Sequence, residues 1–303
     1  MNSINEYKEC RLCPRECKVD RTARVGFCSS SDKIKIARAA LHFWEEPCIS
    51  GKSGSGAVFF SGCTLRCVFC QNHEISHLGK GYYITTHELA DTFIKLQDEG
   101  ANNINLVSPT PYVPSVIEAL DMVKHKLYVP IVYNCGGYES LRTLDMLNGY
   151  IDVYLPDLKY YSDEYAKKYS NCSGYFETAI AAIKKMVSQV GKPQFDADGL
   201  IKKGVIVRHL VLPTLRHDSI DVINGLKSAF SSDEILLSLM SQYTPVFKAC
   251  EHPEINRRIS TFEYNCVLKC VQDSGFDGYS QERSASDTSY IPKFYDEKNE
   301  SAD

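Results

Sequence analysis

The sequence has no large excess of either charge sign and no long run of apolar residues. Its 34 Lys and Arg against 38 Asp and Glu leave a formal net charge of −4, which argues against the basic surface of a nucleic-acid-binding or membrane-surface protein. No apolar stretch reaches the ~20 residues needed to cross a bilayer, and residues 1–8 lack the apolar core of a secretory signal. We therefore expect a cytoplasmic protein with neither nucleic-acid nor membrane partners.

The 13 cysteines are too sparse for a disulfide scaffold, in which cysteine exceeds about 8–10% of a short secreted chain. In the reducing cytosol, clustered cysteines are more often metal ligands or catalytic groups. Here they form a group of four, a group of three and six scattered residues. Two of the six, Cys266 and Cys270, are spaced for one helical face and are expected to be core residues.

The group of four lies in the first 28 residues with the spacing C-x2-C-x3-C-x10-C, and consists of Cys10, Cys13, Cys17 and Cys28. This segment has few apolar residues, so it cannot bury much core and needs another source of stability. Four thiolates match structural zinc by number, although the spacing is not that of paired zinc knuckles. A structural Zn²⁺, an auxiliary iron–sulfur cluster and unbound thiols all remain open.

Short β-rich apolar runs alternate with helical segments from residue 57 onward. The helical pattern is clear at Leu89, Phe93 and Leu96, which follow a capping box of Thr85 and Glu88. Strands alternating with helices predict βαβ units and a parallel sheet, which here means an α/β fold with a partial, TIM-like (β/α)6 barrel. The six predicted strands lie at 57–60, 104–107, 130–133, 151–155, 204–212 and 235–240.

Three parts of the chain are predicted from these patterns. They are a cysteine-rich N-terminal metal-binding arm at 1–50, the partial barrel at 51–250, and a C-terminal helical extension and tail at 251–303. The length of 303 residues then corresponds to one barrel with additions at both ends, not to two equal domains.

The group of three, Cys63, Cys67 and Cys70, follows the first predicted strand with the spacing C-x3-C-x2-C. It brings three thiolates close together at a strand end, where α/β folds place functional residues. A [4Fe–4S] cluster held by cysteine normally has four protein ligands, so three would leave one iron free to bind something else. Zinc with His73 or Cys48 as a fourth ligand is one alternative, and three core cysteines on one helical face are another.

The stretch 63–70, CTLRCVFC, resembles the C-x3-C-x-aromatic-C loop of radical S-adenosylmethionine (SAM) enzymes. More narrowly, the chain is similar to relatives of pyruvate formate-lyase activating enzyme, and among these to a subgroup of uncharacterised iron–sulfur homologues. The narrower resemblance extends over nearly the whole chain, up to Pro292. It rests on the stretches 10–17 (CRLCPREC), 39–48 (AALHFWEEPC), 54–60 (GSGAVFF), 104–110 (INLVSPT) and 208–213 (RHLVLP).

The resemblance implies a [4Fe–4S] cluster on Cys63, Cys67 and Cys70, with SAM bound to its open iron. An electron from the reduced cluster would cleave SAM to a 5′-deoxyadenosyl radical, which takes a hydrogen atom from the substrate. The expected partners are a reductant such as flavodoxin or ferredoxin and, as substrate, a glycyl-radical protein activated as pyruvate formate-lyase is. A radical SAM enzyme acting on a small molecule or peptide is the alternative, and a non-catalytic zinc-binding protein is a third.

The resemblance also suggests roles for residues at the ends of the strands, where βα barrels carry their functional groups. Phe69 is expected beside the adenine, and Asp157 and Lys159 match a motif near the bound SAM, although two solvated charges at a strand exit are the alternative. Successive strand residues face opposite sides, so Arg208 and His209 cannot both face the barrel interior. The family's Arg-x-x-x-x-Pro pattern favours Arg208, and the predicted catalytic residues are Asp157, Lys159 and Arg208.

Two stretches depart from the activating enzymes. Their Gly-Gly-Glu after the second strand, which holds the SAM amino group, is SPT at 108–110 here, so hydroxyls and carbonyls would take that role. Their Asp-Thr-Asn-Gly after the third strand is NCGG at 134–137, which puts a cation site built on that aspartate in doubt. The further residues predicted to bind the cofactor are Ser108, Thr110, Asn134 and Gln242.

Overall fold

The computed structural model describes residues 3–281 of the chain. Its strands are β1 (Lys35–His42), β2 (Ser55–Phe60), β3 (Tyr82–Tyr83), β4 (Ile104–Val107), β5 (Ile131–Cys135), β6 (Val153–Pro156), β7 (Gln194–Phe195), β8 (Ile201–Leu210), β9 (Leu236–Met240) and β10 (Gly278–Ser280). Its helices are α1 (Ser3–Lys8), α2 (Pro47–Ser50), α3 (His73–Ser76), α4 (Thr86–Asp98), α5 (Val113–Val123), α6 (Leu141–Leu147), α7 (Asp163–Ser170), α8 (Tyr175–Val190), α9 (Arg216–Ala229) and α10 (Thr261–Ser274). Short 3₁₀ helices lie at Thr110–Tyr112 and Phe247–Glu251.

Six parallel strands form the centre of the sheet in the order β2-β4-β5-β6-β8-β9. These are the six strands predicted from the sequence, with bounds shifted by a few residues, and the α/β fold class is confirmed. Strand β10 extends the sheet parallel to β9, whereas β1 pairs antiparallel with β2 and carries β3 on its other edge. Across residues 3–281, β9 and β2 do not pair with each other, so the barrel is partial.

The predicted boundaries of the arm and of the extension cut across this sheet. Strand β1 falls within residues 1–50, yet it is hydrogen-bonded along β2 from Ile36 to His42. Strand β10 and helix α10 fall within residues 251–303, and the predicted tail and Pro292 lie outside the described residues. The three-part division therefore stays a prediction, while the segment that carries the cysteine quartet precedes β1.

Helix α4 begins where its sequence predicts. In α4, the Thr85 side chain accepts from the backbone of Glu88 while the Glu88 side chain accepts from the backbone of Thr85, which confirms the capping box. Leu89, Phe93 and Leu96 of α4 are all buried, and each such side chain contributes roughly 1.5–3 kcal/mol of transfer free energy. Within residues 3–281, none of the helices is both long and apolar enough to cross a membrane.

Alternate strand residues face opposite sides of the sheet, so the central strands contribute to separate cores on its two sides. Tyr133 and Tyr154 pack on the outer side with the helices, whereas Val132 and Val153 pack on the concave side. Cys48 and Ile49 of α2 also belong to the concave core. The β1–β2 connector, residues 43–54, therefore fills the concave side near the amino-terminal ends of the central strands.

Candidate active site

The three cysteines lie on an irregular loop, residues 61–72, between β2 and α3. The loop is not helical, which excludes three core cysteines on one helical face. Gly62 begins it with a φ of +90°, and a Cβ there would lie 2.6 Å from the carbonyl oxygen of Cys28. Glycine is thus required both by the backbone conformation and by the close approach of the segment before β1.

Hydroxyl groups surround the thiols of this loop. The Ser170 hydroxyl donates to Cys67 Sγ at 3.0 Å, and the Ser76 hydroxyl lies 3.2 Å from Cys70 Sγ. Burial and then the neighbouring thiols raise the pKa of Cys63 above its usual range, and the same causes raise the pKa of Cys70 to about 11. Because a coordinating thiol is deprotonated by its metal, these buried thiols would become thiolates when a cationic centre compensates them.

The structure brings no fourth protein ligand to the three thiols within residues 3–281. His73 Nδ1 lies 3.2 Å from the carbonyl oxygen of Cys70, and its ring stacks on Phe247 with centroids 4.7 Å apart. Cys48 packs in the concave core. In the same part of the chain, no set of three or more His, Cys, Asp or Glu side chains is gathered closely enough to hold one metal ion. Cysteines that bind different irons of one cluster do not converge on one point, so this arrangement is compatible with a three-ligand [4Fe–4S] cluster.

A charged cluster lies on the concave side at the carboxyl ends of the strands, and we call it the polar array. Arg208 donates to Asp157 Oδ1 at 2.9 Å and to Asn134 Oδ1 at 2.6 Å. It also contacts Glu45 Oε2 at 3.2 Å, and Lys159 Nζ lies 2.5 Å from Asp157 Oδ2. The four charged side chains are each 10–17% exposed. The structure therefore brings together the three predicted catalytic residues and Asn134.

The array holds both signs of charge in a buried place. Burial raises the pKa of Asp157, but the charges of Arg208 and Lys159 outweigh it and hold this pKa below its usual range. Burial by itself lowers the pKa of Lys159. The neighbouring Asp157 and then Cys67 raise it by more, so the pKa of Lys159 lies above its usual range. The ammonium of Lys159 therefore connects the array electrostatically to the cysteine loop.

The structure places Arg208 and His209 on opposite sides of β8. His209 is 1% exposed, and its Nδ1 lies 2.6 Å from the carbonyl oxygen of Leu158. Burial lowers the pKa of His209 to about 4, so its ring is neutral at physiological pH. These contacts are those of a structural histidine, as expected for the neighbour of an inward-facing Arg208.

Two members of the site, Glu45 and Glu46, were not identified as functional from the sequence. Glu45 Oε1 accepts from Asn105 at 3.2 Å and from Asn134 at 3.3 Å, while Glu46 is hydrogen-bonded by Ser238. Burial raises the pKa of both carboxyls. Glu46 Oε2 and Asn105 Oδ1 are buried and have no hydrogen-bond partner. The only sequence signal was the stretch 39–48, which contributed to the resemblance without indicating a role.

Ser108, Phe69 and Gln242 lie around the same strand ends. The backbone N–H of Ser108 donates to the carbonyl oxygen of Asn134 at 2.8 Å, and Ser108 has a left-handed φ of +58°. The Phe69 ring packs edge-on against Tyr243 at 5.7 Å, next to Gln242. Gln71 of the cysteine loop donates to the carbonyl oxygen of Gln242 at 3.3 Å. Their contacts with SAM stay predictions.

Thr110 belongs to a different polar network. Its hydroxyl donates to Glu139 Oε1 at 2.9 Å and accepts from the hydroxyl of Tyr133 at 3.1 Å. Glu139 is 1% exposed, and burial raises its pKa to about 7. The Thr110 hydroxyl is therefore occupied on the helix side of the sheet, and its predicted contact with SAM stays a prediction.

Glu139→Gln is expected to remove a pH dependence of stability. The pKa of Glu139 in the fold, about 7, exceeds the ~4.3 of an unfolded chain, so its stabilising contribution is complete below pH ~4 and is lost as the pH rises through 7. The wild type should lose about 3 kcal/mol from this group by pH 8, and the variant should then be the more stable protein. Urea unfolding at pH 5 and pH 8 measures this, and an identical pH response of both proteins would contradict it.

The cysteine quartet lines one small cavity before β1. Cys10, Cys13, Cys17 and Cys28 all border it, together with Arg21 and with Thr64 of the cysteine loop. A Cβ on Gly26 would lie 3.5 Å from Cys28 Sγ and 3.6 Å from Cys17 Sγ, so these two sulfurs flank the same residue. The structure therefore brings together all four cysteines of the predicted second centre.

Arg21 is the largest fully buried side chain in the described chain, at 1% exposure. Its guanidinium donates to the carbonyl oxygens of Ser30 (3.1 Å), Ser31 (2.5 Å) and Pro111 (2.6 Å), and to Cys10 Sγ at 3.7 Å. Among residues 3–281 it forms no salt bridge with a carboxylate. A buried charge normally has a charged partner, and the ionisable group that Arg21 contacts here is the thiol of Cys10.

Comparisons with known proteins agree with this fold. The family model of the radical SAM superfamily matches residues 57–194, which include the cysteine loop, Asp157 and Lys159. The uncharacterized protein MJ0674 of Methanocaldococcus jannaschii is 30% identical over 282 residues, which cover 90% of this chain and 77% of that protein. The chain belongs to the radical SAM superfamily, and membership implies a [4Fe–4S] cluster and SAM.

Two further relatives are more distant. Pyruvate formate-lyase-activating enzyme of Listeria monocytogenes is 28% identical over 117 residues, or 35% of this chain, and the match spans about half of that enzyme (47%). The crystal structure of methylornithine synthase (PylB) is similar with a TM-score of 0.50 at 16% identity, covering 80% of this chain and 74% of that chain. At that identity the likeness concerns the fold alone, and it agrees with a partial barrel.

Proposed function

We propose that this protein is an enzyme that cleaves SAM reductively and uses the 5′-deoxyadenosyl radical to take a hydrogen atom from a substrate. The observation that carries the proposal is the loop of three thiols with no fourth protein ligand within residues 3–281. A [4Fe–4S] cluster on Cys63, Cys67 and Cys70 would supply the open iron and the electron for the cleavage. Membership of the superfamily supports the same chemistry.

In this proposal the side chains of the polar array bind and orient SAM. Lys159 and Arg208 would neutralise anionic groups, and Asp157 would accept from hydroxyl or ammonium groups. All three are at most 17% exposed, so the site excludes water, which strengthens these interactions and protects a reactive radical. Phe69, packed against Tyr243, would border the adenine.

The first candidate substrate is a glycyl-radical protein, which would make this an activating enzyme. The partial similarity to pyruvate formate-lyase-activating enzyme supports this role. Within residues 3–281 the sheet does not close between its edge strands β10 and β3, and this opening would admit a backbone loop of a partner. A flavodoxin or ferredoxin would donate the electron in the cytoplasm. The cysteine quartet would hold a second centre, either Zn²⁺ or an iron–sulfur cluster.

The second candidate is an enzyme acting on a small molecule or peptide, and the connector residues favour it. Glu46 Oε2 and Asn105 Oδ1 are buried acceptors without a donor. With Glu45 and Asp157, the concave side holds three carboxyls against the two cations of Lys159 and Arg208. Leaving such groups unpaired costs about 1–3 kcal/mol each. A substrate with a protonated amine or a guanidinium group would supply the missing donors and charge.

One assay separates these candidates. The protein is reconstituted anaerobically with iron and sulfide, reduced with dithionite and given SAM, and 5′-deoxyadenosine is measured. A glycyl-radical protein encoded beside the gene should acquire an electron paramagnetic resonance (EPR) signal if the first candidate is right. Stimulation by small amines or guanidines, with no effect of their neutral amide analogues, would favour the second. Zinc in place of iron, with no 5′-deoxyadenosine, would overturn both.

Asp157→Asn should lower the yield of 5′-deoxyadenosine by about 10–100-fold, the range seen when a residue supporting a metal site is replaced. The substitution keeps the shape of the side chain but removes the charge that Lys159 and Arg208 share. Glu263→Gln is the matched control, because Glu263 is a buried carboxylate paired with Arg257 outside the array. Equal yields from Asp157→Asn and wild type would show that the array does not serve SAM.

A further inference from the structure

The sulfurs of the quartet border one cavity but do not surround one point. All four line the same space, yet within residues 3–281 no three metal-binding side chains are gathered closely enough for a single ion. A structural zinc needs four ligands converging at about 2.0–2.3 Å from one centre. The ligands of an iron–sulfur cluster bind different irons and are held apart by its width. Cys63, Cys67 and Cys70, for which the superfamily implies a cluster, likewise form no single-ion site among the described residues.

The charge at this cavity calls for an anionic occupant. Arg21 is fully buried, stacks over the rings of Tyr7 and Tyr112, and finds no carboxylate among the described residues. Four cysteine thiolates carry more negative charge than the iron–sulfide core of a cluster compensates. Arg21 is placed to balance part of that charge, and it already donates to Cys10 Sγ.

The cavity adjoins the cysteine loop of the active site. Thr64, the residue after Cys63, lines it, and Gly62 packs directly against the backbone of Cys28. Arg15, between Cys13 and Cys17, donates to the carbonyl oxygen of Thr64 at 2.6 Å. Two residues adjacent to Cys63 therefore contact the quartet segment, and a centre in the cavity would neighbour the one on the loop.

We propose that Cys10, Cys13, Cys17 and Cys28 hold a second, redox-active iron–sulfur cluster, with Arg21 as its buried counter-charge. This cluster would accept one electron from a carrier of the flavodoxin or ferredoxin class and pass it to the centre on Cys63, Cys67 and Cys70. No bond forms or breaks at the quartet, and no proton moves. The site itself does not depend on the identity of the substrate.

The test uses the full chain with the three loop cysteines replaced, Cys63→Ala/Cys67→Ala/Cys70→Ala. After anaerobic reconstitution, this variant should retain iron and sulfide in equal amounts, about four each for a [4Fe–4S] or about two for a [2Fe–2S] cluster, and give an EPR signal on reduction. Further replacement of Cys13 and Cys17 by Ala should abolish both. One zinc and no iron, or no metal at all, would overturn the proposal. If circular dichroism shows that the variant does not fold, the iron content of the wild type is measured instead. A content of about four irons per chain, which one [4Fe–4S] cluster accounts for, would overturn the proposal, and a higher content would support it.

A second measurement addresses Arg21. In the same background, Arg21→Met should shift the midpoint potential of the cluster to a more negative value, because the added electron loses a nearby positive charge. Arg21→Lys, which keeps the charge, should leave it near the parent value. An unchanged potential in both variants would refute the role of Arg21. If the reconstituted wild type forms no 5′-deoxyadenosine, that result counts against the proposed SAM chemistry and not against the second cluster. The failure of the proposed function and the failure of this inference are therefore distinguishable.

Discussion

Arg208→Met is expected to lower the free energy of unfolding by about 3–5 kcal/mol, the cost of removing one partner of a buried ion pair. Arg208 is 14% exposed and compensates both Asp157 and Glu45, so the substitution leaves buried carboxylates without their main cation. Because burial already raises the pKa of Glu45 and Glu46, both should take up protons in the variant. The loss should therefore be smaller at pH 5 than at pH 8.

Urea unfolding at the two pH values measures this effect. Arg257→Met is the matched control. Arg257 also pairs with a buried carboxylate, Glu263, but is itself 44% exposed, and Glu263 keeps the hydrogen bonds from the backbone of Thr214 and Ser260, so the loss should be smaller. Equal losses in the free energy of unfolding would mean that the polar array stabilises the fold no more than the Arg257–Glu263 pair does.

Replacing any one of Cys63, Cys67 and Cys70 with Ala is expected to abolish 5′-deoxyadenosine formation. Each of the three cysteines would hold one iron, and the fourth iron would have no protein ligand. With only two protein ligands the cluster should be lost during reconstitution. The fold should survive, because the loop lies outside the regular helices and strands. Iron and sulfide analysis, EPR and the SAM cleavage assay together measure the effect.

Cys266→Ala is the control for this experiment. Cys266 is a half-buried thiol on α10, so its loss should change neither the iron content nor the cleavage of SAM. A loop variant that retained full iron content and activity would overturn the assignment of the cluster ligands.

The local and periodic features of this fold could be predicted from the sequence. Apolar runs identified the six central strands, and the spacing of Thr85 and Glu88 identified a helix start, because both depend on neighbouring residues. Strand alternation together with the family pattern placed Arg208 inside the barrel and His209 outside it. The cysteine loop stands out in the sequence because its three cysteines lie within eight residues of each other.

Features that depend on distant pairing could not be predicted. Strand β1 reads as part of the arm, since nothing local indicates that it pairs with β2. Glu45 and Glu46 look like surface acids until the connector is seen to fold back against Arg208 and Ser238. Arg21 likewise stands in a stretch rich in charge, and only its contact with Pro111, 90 positions away, shows that it is buried.

The β1–β2 connector closes one end of the partial barrel. Because Cys48 and Ile49 share a core with residues near the beginnings of β5, β6, β8 and β9, the connector fills the amino-terminal end of these strands. A molecule held by Glu46 would therefore have to enter from the carboxyl ends of the strands, past the place where SAM is expected, or through the side on which the sheet of the described residues does not close. Entry from the carboxyl ends predicts compulsory-order binding with SAM adding second, whereas entry from the side predicts random order, and steady-state inhibition patterns distinguish the two routes.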